Sequence, residues 1–154
     1  MIDTPRIVQT TEQWVATLPL KVPREQIREV MGPGIQEVFA AIAAQGIAPT
    51  GPWLTHHRKA PDTEFDFEIC VPVASEVAPT GRVRSGRLAA RKAARTVYVG
   101  PYEGLGAAWG ELRAWVEAQG HARAQDLWEC YAKGPESGSD AAAYRTELNQ
   151  PLVG

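Results

Sequence analysis

The hydrophobic pattern changes period several times along the chain, and the order of those changes predicts its elements. From residue 7 to residue 22 the chain is mostly β-branched and apolar, which reads as a strand. Pro23 suits the first position of a helix, where no amide hydrogen is needed, and Arg24-Glu25-Gln26 follow it. Gly32-Pro33-Gly34 predicts a break or an offset in that helix, because proline lacks the amide donor and crowds the preceding turn. Helical spacing resumes with Ile35, Val38, Phe39 and Ile42, and Gly46 ends it. Short strands at residues 52–57 and 65–73 then flank a polar turn, Lys59-Ala60-Pro61-Asp62. The predicted order is β-α-β-β.

The second half repeats this order. Residues 74–87, with Pro79, Thr80 and Gly81, read as a linker, and residues 88–99 as the next strand. Pro101 opens a helix that places Leu105, Ala108, Trp109, Leu112, Trp115 and Val116 on one face, and Gly120 closes it. Strands follow at residues 127–132 and 144–153, joined by the loop Gly134-Pro135-Glu136-Ser137-Gly138-Ser139-Asp140. The halves also agree in detail. Pro23, Glu25 and Ile27 match Pro101, Glu103 and Leu105, and Ala44-Gln45-Gly46 matches Ala118-Gln119-Gly120. The closing strands carry an aromatic residue, a glutamate, an aliphatic residue and a proline at identical spacing. We therefore expect one domain over residues 1–154, built of tandem duplicated units at about 5–73 and 88–153. The fold class is α+β: an antiparallel sheet with two helices on one side and a pocket at the pseudo-twofold seam.

Composition narrows the function. A chain of 154 residues with 44% hydrophobic residues is one domain's length and can bury a sizeable core. The net charge of −2 and the lack of a basic tail argue against direct nucleic-acid binding through phosphate contacts. Arg82, Arg84, Arg87, Arg91, Lys92 and Arg95 form a basic stretch that reads as a solvated strand face. No apolar run approaches the ~20 residues that span a membrane, and the first six residues lack a signal peptide's apolar segment. Cys70 and Cys130 make neither a ligand cluster nor a disulfide framework, so a cytoplasmic protein with reduced thiols is expected. Gly32-Pro33-Gly34 and Gly104-x-Gly106 lack the rest of a phosphate-binding loop, and no nucleophile elbow is present. His56 and His57 are strand neighbours facing opposite ways, with no ligand cluster nearby. No metal and no cofactor is expected.

The residue with most chemical promise is Glu129, within the apolar and aromatic strand Leu127-Trp128-Glu129-Cys130-Tyr131. Alternation puts Glu129 and Tyr131 on one face, with Trp128 and Cys130 on the other. A carboxylate among aromatic rings has two uses. It can attract a cationic ligand, with the ring faces adding cation–π attraction. With a raised pKa it can also serve as a general acid or base. Trp109 stands on the helix stripe as core, pocket wall or both. Counting back from Gly46 and Gly120 gives an offset of 74 residues, which matches Thr55 to Glu129 and His57 to Tyr131. Trp53 and His57 are thus candidates from the first half, with a simple core histidine as the other reading of His57. Glu68 and Glu147, the matched glutamates of the closing strands, are expected to be structural, with Arg145 sharing the face of Glu147.

Four further motifs carry a family resemblance: Thr80-Gly81-Arg82-Val83 before Leu88-Ala89-Ala90; Val99-Gly100-Pro101-Tyr102-Glu103-Gly104-Leu105; Trp128-Glu129-Cys130-Tyr131; and Arg145-Thr146-Glu147-Leu148 with Pro151-Leu152. In this order they resemble the GyrI-like small-molecule-binding domains, the effector-binding domains of AraC- and MerR-type regulators. The family often has Leu-Pro-Ala where this chain has Leu88-Ala89-Ala90, a structurally minor departure. The likeness covers about residues 5–153, which leads us to expect a stand-alone domain without a helix-turn-helix. The resemblance implies that Glu129 lies in a drug pocket and pairs with cationic ligands. It also implies that Tyr144 is a pocket tyrosine, able to hydrogen-bond a ligand or the Glu129 carboxylate.

Three functions follow from it. The first is binding of small amphipathic, cationic or planar aromatic molecules by Glu129, Tyr131, Tyr144, Trp109, Trp53 and His57. The second is hydrolysis of strained cyclopropane-bearing genotoxins, with Glu129 and Tyr144 as catalytic residues. The third is docking on a protein partner, as in the family's gyrase inhibitors. Exposed strand edges would suit a homodimer.

Overall fold

The computed structural model of the protein describes residues 2–59, 63–134 and 140–153. In chain order its strands and helices are β1 (Arg6–Gln9), β2 (Gln13–Pro23), α1 (Ile27–Ala44), β3 (Leu54–His57), β4 (Glu64–Val73), β5 (Arg84–Leu88), β6 (Lys92–Val99), α2 (Leu105–Ala118), β7 (Ala122–Arg123), β8 (Leu127–Lys133) and β9 (Arg145–Val153). The chain divides into two compact units. The first unit is residues 11–90; the second joins residues 1–10 to residues 91–154.

In the first unit the strands run antiparallel in the order β3-β4-β2-β5. Helix α1 covers one face, where Val38, Ala41 and Ile42 pack with Ala16, Leu18, Phe67, Ile69 and Val71. Each large aliphatic side chain buried this way contributes about 1.5–3 kcal/mol. Contrary to the expected break, α1 runs through Gly32-Pro33-Gly34 without interruption. Pro33 removes one helical hydrogen bond. Gly34 lets this turn press closely onto β4: a Cβ there would lie 2.7 Å from Ile69 Cδ1, so any larger residue would have to displace that side chain. The packing of the turns on either side holds the helix across the missing bond.

The second unit has the antiparallel order β1-β6-β9-β8, with β7 on the last residues of β9. Helix α2 buries Ala108, Trp109, Leu112 and Val116 with Ala94, Tyr98, Leu127 and Leu148. In both units one 3-10 turn leads into the helix, Arg24–Gln26 before α1 and Tyr102–Gly104 before α2. The two orders correspond: a strand, a helix and two strands, with one further strand paired to the first. This is an α+β fold of antiparallel sheet and helices, as expected from the sequence.

The predicted strand over residues 7–22 is in fact two strands in different units. Its interruption falls in Gln9-Thr10-Thr11-Glu12, where polar residues break the apolar run. Thr10 is held instead by Arg91: the Thr10 amide donates to the Arg91 carbonyl at 2.8 Å, and the Arg91 amide donates to the Thr10 hydroxyl at 2.8 Å. Residues 74–87, read as a linker, contribute buried Val77 and Val83 and the start of β5. The predicted strand over 88–99 begins at Lys92. Of the predicted turn at 59–62 and loop at 134–140, residues 60–62 and 135–139 lie outside the described residues.

Most of the basic stretch is solvent-exposed, as read from the sequence, and four of its six cations also have acidic partners. Arg82 binds Glu37 at 2.8 Å, Arg91 binds Asp126, and Arg95 lies 3.3 Å from Glu147. Arg87 reaches Glu12 at 3.2 Å while its guanidinium sits 4.3 Å from the centre of the Trp14 ring. Among the described residues no helix is long and apolar enough to cross a membrane.

Candidate ligand-binding site

Strand β8 places the central carboxylate. Glu129 is paired with Leu148 of β9, and Tyr131 with Thr146, so strand alternation turns both side chains to one face. Leu148 packs with Trp109 and Leu112 of α2. Glu129 therefore points into the face that the helix covers, and it is only 9% exposed.

Two donors meet it there. The Trp109 indole N–H donates to Oε2 at 2.6 Å, and the Tyr131 hydroxyl donates to Oε1 at 2.6 Å. Such short bonds are typical of an ionised acceptor. Burial nevertheless outweighs them and holds the Glu129 carboxyl above the ordinary carboxylate range. The site thus combines a carboxyl poised to ionise less readily than usual with donors that support the ionised form once it is made.

Aromatic rings extend outward from this pair. Tyr102 meets Tyr131 edge-on at 6.0 Å between ring centres, and lies 5.2 Å from Tyr144. Tyr102 and Tyr144 are partly exposed, whereas Trp109 and Tyr131 are 6% and 8% exposed. The Tyr98 hydroxyl donates to the Pro101 carbonyl at 2.8 Å, and the Gly100 amide donates to the Tyr144 carbonyl at 2.9 Å. These bonds fix the turn that carries Tyr102 beside the start of β9.

Of the residues expected at the site, Glu129, Tyr131 and Trp109 come together directly. Tyr144 joins through Tyr102, and it is Tyr131 and Trp109 that hydrogen-bond the carboxylate. Tyr102 was not anticipated. It belongs to the turn after Pro101, and an aromatic residue between a proline and the start of an amphipathic helix was the available signal.

Trp53 and His57 lie in the first unit. Trp53 is partly buried against that unit's core. His57 is 5% exposed, stacks on Phe67 at 5.2 Å, and has its Nε2 3.1 Å from the Thr55 hydroxyl. Burial, reinforced by neighbouring His56, pushes its pKa down to about 4. At neutral pH His57 is an uncharged, aromatic-packed imidazole. The i, i+2 contact of Thr55 with His57 on β3 has the same spacing as that of Glu129 with Tyr131 on β8.

The two matched glutamates make ion pairs and hydrogen bonds at the surface of their sheets. Glu68 receives Arg58 at 3.1 Å, and Glu147 receives the Asn149 side-chain amide at 3.2 Å beside Arg95. Arg95, not Arg145, provides the cation for Glu147. Burial, with the Glu147 charge adding to it, pushes the Cys130 thiol up to about 12, which leaves it unreactive at neutral pH. Among the described residues no cluster of three or more histidine, cysteine or acidic side chains is arranged for a metal ion.

The sequence matches the GyrI-like small molecule binding domain over residues 3–152. The chain belongs to this family. This GyrI-like domain also resembles solved structures. With the EcmrR C-terminal domain it shares 24% identity at a TM-score of 0.86, covering 97% of each chain. In the EcmrR–DNA complex it spans 57% of the EcmrR chain, with a TM-score of 0.85 and 24% identity. A hydrolase from Listeria innocua matches at 14% identity and a TM-score of 0.73, covering 97% of this chain and 91% of the other. The protein SAV2435, solved with tetraphenylphosphonium, matches at 13% identity and a TM-score of 0.65, covering 99% and 95%. Among curated proteins nothing matches this GyrI-like domain. Membership identifies the chain as a small-molecule-binding domain.

Proposed function

We propose that the chain binds small amphipathic cations, planar aromatic ones among them, at Glu129, with Trp109 and Tyr131 supporting the carboxylate and Tyr102 and Tyr144 offering ring faces. The observation that carries this reading is the buried Glu129 carboxyl held by two hydrogen bonds next to a run of tyrosines. A lipophilic cation suits such a place on both counts. Its charge offsets the burial of the carboxylate, and its apolar surface meets rings whose faces attract cations. The relative SAV2435, solved with tetraphenylphosphonium, supports the choice of ligand class. The shared element order of the two units and their matching i, i+2 pairs support an origin by tandem duplication.

A thermal-shift screen of planar and lipophilic cations tests the reading. Ligands that bind the folded state raise the melting temperature by mass action. Hits in the wild type that vanish in Glu129→Gln support the site, and equal shifts in both proteins refute it.

A second reading rests on the raised carboxyl of Glu129. A carboxyl that holds its proton longer than usual is suited to general acid or base catalysis. The Listeria innocua relative described as a hydrolase keeps this in view. Here Glu129 would activate water against an electrophilic, cyclopropane-bearing substrate positioned by Tyr144. Mass spectrometry of recovered compound separates the two readings: unchanged ligand means binding, and a water-added product means hydrolysis.

A further inference from the structure

Thr146 of β9 is fully buried, yet among the described residues its hydroxyl oxygen has no hydrogen-bond partner. Register sets its place. It is paired with Tyr131 of β8 on one side and with Tyr98 of β6 on the other. Directly opposed residues of antiparallel strands share a face, so Thr146 lies on the face of Glu129 and Tyr131, diagonal to Glu129. Tyr98 and Leu148 on that face pack with Trp109, which identifies it as the face beneath α2. Buried hydroxyls without a partner are uncommon and destabilising. Valine would fill the same shape without that penalty. On the same face, one pair along the ladder, lies a carboxylate whose two oxygens each already accept one bond from the protein.

We propose that Thr146 is a specificity-determining residue of the Glu129 site: its hydroxyl accepts a hydrogen bond from a bound cation, so the site favours cations that carry N–H donors over quaternary ones. The inference rests on the reading of Glu129 given above. A quaternary cation offers charge to Glu129 and surface to the tyrosines, but nothing to the Thr146 oxygen. A protonated amine or amidine offers all three. The Thr146 oxygen, which no described protein donor reaches, is then the acceptor for the ligand's N–H.

The test uses two planar cations of similar size, 9-aminoacridinium, which has N–H donors, and 10-methylacridinium, which is quaternary. Their affinities are measured by fluorescence titration for the wild type, Thr146→Val and Thr146→Ser. The wild type is expected to prefer 9-aminoacridinium by about tenfold, the scale of one hydrogen bond to a charged group. Thr146→Val should remove most of that preference while leaving 10-methylacridinium binding within about twofold, and Thr146→Ser should keep it. The ligand-free Thr146→Val protein should melt no lower than the wild type. Binding of both compounds with an unchanged preference in Thr146→Val overturns the inference and leaves the Glu129 reading intact. A lower melting temperature with unchanged preference assigns the hydroxyl a structural partner, and also overturns it. If neither compound binds the wild type, the Glu129 reading fails and this inference with it.

Discussion

The Tyr131 hydroxyl donates to a Glu129 oxygen 2.6 Å away, two residues earlier on the same strand. This bond lies on the helix-covered face, so its geometry depends on strand alternation and on the packing of α2 together. It also makes Glu129 acceptor to two protein donors while burial disfavours its charge. That balance has measurable consequences.

Glu129→Gln should preserve the local geometry. The glutamine carbonyl can accept from Trp109, and its amide can donate to the Tyr131 hydroxyl, which rotates to accept. The sign of the stability change follows from the raised carboxyl. A group that holds its proton more tightly when folded stabilises fully below the unfolded pKa, and that stability is lost as pH rises through the folded value. We expect wild-type stability to decline as pH rises above about 4.5, the ordinary carboxyl value, and Glu129→Gln to flatten that decline. Urea unfolding at several pH values between 4 and 8 checks this.

The same carboxyl predicts the pH dependence of binding. A cation is attracted by the ionised form, so affinity should rise with pH through the elevated pKa and then level off. Titrations of tetraphenylphosphonium across that range should show the rise in wild type, and a flat profile in Glu129→Gln.

His57 acts in the opposite direction. Its folded pKa, about 4, lies below the ordinary histidine value of 6.5. Its contribution is present above 6.5 and is lost as pH falls toward 4, by at most on the order of 3 kcal/mol. His57→Phe should reduce acid sensitivity in this window. Denaturant midpoints at pH 4.5 and 7 for both proteins provide the comparison.

Gly104→Ala should disturb the site without touching it. A Cβ at this position would collide with the Tyr98 hydroxyl, whose bond to Pro101 holds the turn carrying Tyr102. We expect a loss of about 1–3 kcal/mol, typical of overpacking, and weaker ligand binding. Alanine at Gly106, inside α2, where a Cβ meets nothing within 4 Å among the described residues, should leave binding unchanged and stability equal or higher by up to about 1 kcal/mol. Chemical denaturation and cation titration of the two variants decide it.

Much of this arrangement could be read from residue order alone. Period-two alternation around Glu129 placed it with Tyr131, and the helical stripe placed Trp109 on the buried side of α2. Local pattern failed where long-range pairing decided the outcome. Nothing in residues 7–22 reveals that their first strand pairs with β6 and their second with β4. Gly32-Pro33-Gly34 looked like a helix break because the close approach to Ile69, which explains Gly34, lies 35 residues further along the chain. The acidic partners of the basic stretch, Glu12, Glu37, Asp126 and Glu147, were not legible because they reach it only through the fold. Tyr102 escaped for a similar reason: its contacts with Tyr131 and Tyr144 come from residues 29 and 42 positions later.

If Glu129 is the charge partner of a bound cation, its neutral isostere should bind that cation weakly. Calorimetric titration of tetraphenylphosphonium into wild type and Glu129→Gln at pH 8 tests it most directly. Binding to the wild type should be saturable and binding to the variant at least about tenfold weaker, the scale of one lost charge-assisted contact. Equal affinity in two equally folded proteins would contradict it.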